Sequence, residues 1–478
     1  MDAGRLDWRR TYCNPIPLPD YPRGRACRDK TANLGKFRHD PPRDFRETAD
    51  PSVILHDGRW YLYPSAGMAY VTEDFIHWRH RKIEPYDAGY APTVVRFRDR
   101  FLLTACRAPV FASAGPLGPF ASLGRLAGPD GKSVKDFDDP MLFADDDNRL
   151  FAYWGLGGAG VFGAELDPSQ PMRLLTEPRL LFSYDPAHVW ERFGAWNEDA
   201  SKSYVEGSWM VKHRGRYFLT YAAPGTEFCT YGMGTYVGDS PLGPFRYQAR
   251  NPILRQTHGL VQGPGHGCLV AGPNDTLWAF YTCTVCYEHF FERRIGVDPA
   301  GLDADGNLFV RGASEVPQWA PGLLARPQDG NDAGLLPVTR SKIARASSSA
   351  PGRDALYAID GSMLTFWQPA DGDPAPVLTL DCRGIFLVAA VRIVWKDVGL
   401  DYDAGAKPGP FRYVVEASRD NQTWSAVVDA SGNETDLLID YRTFDPTPAS
   451  HVRLRVLGTP PGIRPGVIDV TAFCLGSA

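Results

Sequence analysis

A chain of 478 residues is longer than one hydrophobic core usually serves, so two domains are expected. Its 44% apolar and 12% aromatic content suits a packed globular protein and not a disordered one. A net charge of -5 without any basic block argues against a nucleic-acid partner, and no apolar run reaches the roughly 18 residues of a membrane span.

Residues 1–25 are polar and Pro-rich, with no leader pattern. The expected compartment is the cytoplasm if Met1 is the native start, and the periplasm or cell exterior if a leader has been trimmed. Nine cysteines, an odd number spread along the chain, do not make a disulfide framework. Cys283 and Cys286 form a CxxC with no companion pair at zinc-site spacing, so core packing is the expected role.

Five β-hairpins follow in chain order: Ser52 to Ser65, Thr93 to Cys106, Met141 to Trp154, Ser208 to Ala222 and Gly267 to Thr282. Each joins two runs of β-formers through a turn rich in Gly, Asn or Asp, such as Asp57-Gly58, Arg98-Asp99 or Arg214-Gly215. The polar turn Asp145, Asp146, Asp147 and Asn148 is expected to be solvated. GPLGPF at Gly115–Phe120 recurs almost unchanged as SPLGPF at Ser240–Phe245. Repeated hairpins some 40 to 70 residues apart predict an all-β propeller with one four-stranded sheet per blade. A pair of β-sandwiches is the alternative, and it leaves the repeated turn unexplained.

What precedes each hairpin carries the chemistry. Asp50-Pro51, Ala91-Pro92, Asp139-Pro140, Glu206-Gly207 and Gly265-His266 stand at the five strand starts. The first strand of each propeller blade lines the central channel, so these positions converge near the axis. Three carboxylates and an imidazole would meet there. Glycosidic hydrolysis needs one protonated and one ionised carboxyl group, and a third can keep the acid protonated. Singly, an Asp-Pro is an ordinary turn starter and Glu206 an ordinary surface acid. Jointly, at successive blade starts, the catalytic reading is the better one.

These motifs resemble glycoside hydrolase family 43, the five-bladed propeller glycosidases of clan F. The resemblance rests on Ala49-Asp50-Pro51-Ser52, Tyr90-Ala91-Pro92, Phe137-Asp138-Asp139-Pro140, Val205-Glu206-Gly207-Ser208 and Gly263-Pro264-Gly265-His266-Gly267, and covers about residues 10–320. It implies an inverting hydrolase with Asp50 as general base, Glu206 as general acid and Asp139 as the group that tunes and orients the acid. The base and acid would stand roughly 6.5 to 9.5 Å apart. His266 matches a histidine beside a central calcium or water cluster, and Arg293 or Arg294 an active-site arginine. Tyr90 stands where tryptophan is usual and Thr93 where an acid is usual, which bears on the sugar and not on the hydrolytic groups.

Trp190 and Trp196 lie in an insertion ahead of Glu206 and either wall the pocket against sugar or pack between blades. Glu227 and His258 have weaker claims. The expected substrate is an oligo- or polysaccharide, cut exo-fashion to release arabinofuranose, xylose or a galactose form. An endo-acting arabinanase or xylanase and a non-catalytic sugar-binding propeller are the alternatives.

Residues 321–340 read as a Pro- and Gly-rich linker after a catalytic domain at 1–320. Short alternating strands at Val377–Leu380, Ala389–Trp395, Tyr413–Ala417 and His451–Val456 predict a β-sandwich over 341–478. YAIDGSMLTFW at Tyr357–Trp367, SRDNQTW at Ser418–Trp424 and GVIDVTAF at Gly466–Phe473 resemble the discoidin domain, also called coagulation factor V/VIII type C. That resemblance implies a structural calcium near the DG turn, with Asp360 and Thr365 as ligands. The catalytic chemistry is expected to need no cofactor. The second domain either binds sugar or buttresses the propeller, with the buttress favoured, and its loop Val398–Tyr413 is long enough to approach the catalytic pocket.

Overall fold

The structure is a computed structural model that describes residues 6–26, 43–65, 67–83, 89–285, 289 and 291–476. Cys286 lies outside them.

Five antiparallel sheets, each from one contiguous stretch of chain, carry the expected hairpins as their first two strands. These pairs are Ser52–His56 with Arg59–Tyr63, Thr93–Phe97 with Arg100–Thr104, Met141–Ala144 with Leu150–Trp154, Glu206–His213 with Arg216–Ala223, and Gly265–Gly272 with Thr276–Thr284. Two more strands complete each blade, and blade four gains a short extra one, Leu254–Arg255. The first strands of blades one and two, two and three, three and four, four and five, and five and one are neighbours, so the ring closes. Among the described residues no strand is shared between blades, and apolar faces pack between them. Phe101 and Leu103 pack with Tyr61 and Val94, Leu102 and Leu142 with Trp154, and Phe218 and Leu269 with Tyr281. Cys283 belongs to the last of these cores, as expected of a packing cysteine.

The repeated turn has a structural job. It joins the third and fourth strands of blades two and four. Tyr63 of blade one donates its hydroxyl to the Pro116 carbonyl at 2.6 Å, and Tyr153 of blade three donates to Pro241 at 2.7 Å. Each copy thus latches a blade to the one before it. Asp145 departs from its expected solvation. It is buried, because Lys212 and Tyr217 of blade four reach across to it at 2.7 and 2.6 Å. Asp146 and Asp147 stay exposed.

The C-terminal part is a seven-stranded β-sheet domain. Two expected strands, Val377–Leu380 and Ala389–Trp395, are parts of one long strand, Val377–Val398. Register shifts between Asp381 and Phe386 and between Val388 and Ala390 bend it, and the interrupted alternation at these bulges reads in sequence as a gap. Leu335–Pro337, within the stretch expected as linker, pairs with Arg464–Leu475. The loop after Val398 reaches the strand Arg43–Arg46, where the Tyr402 amide donates to Asp44 at 2.8 Å. Arg23 joins this contact, with its guanidinium on Asp403 at 3.1 Å and over the Tyr402 ring.

Candidate active site

At every blade start the chain passes through the left-handed region: Asp50 at φ 53°, Ala91 at 50°, Asp139 at 46°, Gly207 at 59° and His266 at 32°. Four of the five are not glycine, and such backbone is held only where surroundings fix it. The fixing contacts recur between blades. Ser65, two residues beyond the second strand of blade one, accepts the Ala91 amide at 3.0 Å. Cys106, two residues beyond the second strand of blade two, accepts the Asp139 amide on its sulfur at 3.2 Å.

The starts bring together the residues expected at the axis. His266 Nδ1 lies 3.5 Å from Asp50 Oδ1 and 3.5 Å from Asp139 Oδ2. The Gly207 amide, next to Glu206, donates to Asp139 Oδ2 at 3.2 Å. A Cβ at Gly207 would stand 2.8 Å from the His266 ring, so any larger residue must displace the imidazole. Asp50 and Glu206 are only 4% and 8% exposed.

Their environments differ in sign. Burial pushes Asp50 upward, but the Arg293 guanidinium, His266 and the Ser65 hydroxyl outweigh it and hold the carboxyl below its ordinary value. Arg293 grips it with two nitrogens at 2.9 and 3.0 Å, and Ser65 donates at 2.6 Å. Glu206 is pushed well above its ordinary value by burial and by the charge of Asp139, with smaller pushes from Glu227 and Asp50. A hydrogen bond from Tyr231 at 2.7 Å opposes that rise. Asp139 is raised too, by burial and by Asp50, against His266 and the Cys106 thiol. The hollow therefore holds one carboxylate biased to stay ionised and one biased to stay protonated.

The arginine ambiguity resolves in space. Arg293 faces Asp50, whereas Arg294 turns to the Arg46 carbonyl at 2.8 Å and over the Tyr21 ring. Tyr90 is 41% exposed and donates to Glu47 at 2.7 Å; Glu47 in turn meets Arg293 at 3.3 Å. Trp190 is buried between blades three and four, with Nε1 on the Tyr247 hydroxyl, so it is core. Trp196 is 88% exposed. Glu227 is a half-buried carboxyl whose charge reaches Glu206, and His258 is an exposed residue beside Thr257.

Glu47, Ser65, Cys106 and Tyr231 escaped the sequence reading. Ser65 and Cys106 had a signal, since each is the polar last residue of a predicted hairpin. Tyr231 had none; it reaches Glu206 from the loop before the third strand of blade four.

The DG turn expected to hold calcium is closed by its own hydrogen bonds. Asp360 accepts the Ser362 amide on one oxygen and the Thr365 hydroxyl on the other, at 2.9 and 2.7 Å. Among the described residues no group of three or more His, Cys, Asp or Glu is placed to hold a metal.

A closed five-bladed propeller thus gathers buried carboxylates of opposite bias at its axis. Residues 39–308, more than half of the chain, match Glycosyl hydrolases family 43, and the chain belongs to that family. It is a glycosidase, and residues 343–466 match the F5/8 type C domain. A β-xylosidase of Xylanibacter ruminicola is 27% identical over 173 residues, 29% of this chain and 51% of that protein. The chain thus spans about half the length of that relative. A xylosidase/arabinosidase of Bacteroides ovatus is 24% identical over 317 residues, 50% of this chain and 92% of its own. Among solved structures, a thermostable family-43 glycoside hydrolase is 22% identical, with 65% of this chain and 99% of that one covered and a TM-score of 0.49.

Proposed function

We propose that this glycosidase inverts configuration and acts from chain ends, releasing α-L-arabinofuranose or β-D-xylose, with galactose or galactofuranose as the alternative sugar. Asp50 takes a proton from water, which attacks the anomeric carbon. Glu206 gives its proton to the departing oxygen in the same displacement. Asp139 keeps Glu206 protonated through its negative charge and holds the acid's backbone through the Gly207 amide. No cofactor enters this scheme.

The observation that carries this reading is the opposite bias of two carboxyl groups in one buried hollow. Burial of both supports a pocket over an open groove, and hence action on terminal sugars. The names of the two relatives, β-xylosidase and xylosidase/arabinosidase, favour these sugars.

The test is a screen over aryl arabinofuranosides, xylosides and galactosides, with the first-formed anomer read by NMR. Glu206→Ala should abolish cleavage of natural glycans and spare part of the activity on aryl glycosides, whose good leaving groups need little protonation. Retained configuration, or full activity of Glu206→Ala on natural glycans, would overturn the reading.

A further inference from the structure

Two chain segments lie side by side behind Asp50. One runs through Arg46 and Glu47, the other through Glu292 and Arg293. They are tied by the Thr48 amide on the Arg293 carbonyl at 3.1 Å and by the Arg294 guanidinium on the Arg46 carbonyl at 2.8 Å. In extended chain, neighbouring side chains point to opposite sides. Here that alternation splits each pair between two partners. Glu47 and Arg293 face the catalytic hollow, where they meet each other and Asp50. Arg46 and Glu292 face the C-terminal domain.

The C-terminal domain grips both outward members. Arg46 is 2% exposed, and its guanidinium meets Asp397 at 2.7 Å and Asp436 at 2.5 Å. Lys396, one residue before Asp397, meets Glu292 at 3.2 Å. A buried guanidinium between two carboxylates is costly to separate, because breaking it strands charge away from water. The grip falls one residue away from each of the two side chains that hold the base.

We infer that the C-terminal domain is a working part of the catalytic site: through Lys396, Asp397 and Asp436 it positions Glu47 and Arg293, and through them Asp50. These three are positioning residues, since none touches Asp50. This inference rests on Asp50 acting as the base. It assigns the domain a task other than capture of sugar at a distance.

The charged groups that bear on Asp50 directly are Arg293, His266, Glu47, Asp139 and Glu206, with the hydroxyls of Tyr90 and Tyr231 nearby. Those around Arg46 are Asp397, Asp436, Tyr402, Tyr21 and Tyr70, and Arg294 lies 3.9 Å from Glu292. Loosening the grip weakens the hold of Arg293 on Asp50, so the base gains protons at higher pH. The acid limb of the pH–rate profile should then move upward.

The experiment uses the full chain with an aryl glycoside that it cleaves. Asp397→Asn and Asp436→Asn should each lower kcat on the order of tenfold, the scale of a small misplacement, with KM nearly unchanged. Both should raise the acid limb. Lys396→Met, which keeps the Arg46 pair, carries the same expectation if either asparagine variant fails to fold, and Lys396→Arg should restore the parent profile. Arg340→Gln loosens the domain contact elsewhere, at Glu315, and should leave kcat and the acid limb alone. The inference fails if folded grip variants keep the parent kcat and acid limb, or if Arg340→Gln shifts them equally. Asp50→Asn is measured alongside: if it still hydrolyses, the assignment of the base has failed and not the grip alone.

Discussion

Tyr231 donates its hydroxyl to Oε1 of Glu206 across 2.7 Å, with both side chains buried. A hydrogen bond to an ionised carboxylate favours that form. Tyr231 therefore restrains the rise that burial and Asp139 impose on Glu206. It limits how far the proton affinity of the acid rises.

Tyr231→Phe should accordingly push Glu206 further up. The alkaline limb of kcat/KM, where the acid loses its proton, should move to higher pH. A pH–rate profile checks the direction, and a downward move contradicts it.

Asp139→Asn should do the reverse. Removing the negative charge beside Glu206 lowers its proton affinity, so the alkaline limb should move to lower pH. The rate should fall as well, because the acid is then ionised over more of the working range. The pair of variants with opposite shifts tests the electrostatic account better than either alone.

Arg293→Lys tests the base. A lysine is a point charge and cannot bond both Asp50 oxygens and Glu47 as the planar fork does. Charge-assisted bonds are worth roughly 1.5 to 3 kcal/mol each, so a loss of about ten- to a hundredfold in kcat/KM is expected. With less positive charge fixed on Asp50, the acid limb should rise. Measuring kcat/KM between pH 4 and 8 decides it.

These groups were unequally legible in the sequence. Asp50, Asp139, Glu206 and His266 stood out because each begins a hairpin, and in a propeller equal positions in the repeat are near in space. Ser65 and Cys106 were legible in principle, as the residues closing the hairpins. Arg293 was found only as one of two, since strand alternation decides which neighbour faces inward and the register was unknown. Glu47 and Tyr231 come from segments outside the repeat, and nothing local marks them. In the C-terminal domain the bulges of Val377–Val398 broke the alternation that signals a strand. Trp190 and Trp196 look equivalent in sequence, yet the structure buries one and exposes the other.

That difference is measurable. Trp190 packs with Tyr221 in the core between blades three and four, so Trp190→Ala should cost about 3 to 5 kcal/mol of stability. Trp196→Ala removes an exposed ring and should change stability by less than about 0.5 kcal/mol. Denaturant melts of both variants separate them. If Trp196 contacts sugar, its effect appears in KM for oligosaccharides and not in the melt.

Gly207→Ala joins backbone to chemistry. Gly207 takes φ 59°, where an L side chain is strained, and an added Cβ would come within 2.8 Å of the His266 ring. The strain alone costs on the order of 1 kcal/mol, which the fold should tolerate with a lowered Tm. The catalytic hollow should not tolerate it. His266 must move, and it sits between Asp50 and Asp139; the Gly207 amide that Asp139 accepts must move with it. Activity should therefore fall far more than stability, by at least about a hundredfold, as expected for an ångström-scale displacement at reacting groups. Circular dichroism and thermal melting beside kcat/KM make the comparison. A folded Gly207→Ala with near-parent turnover would mean that His266 and Asp139 need not hold the places in which they are found.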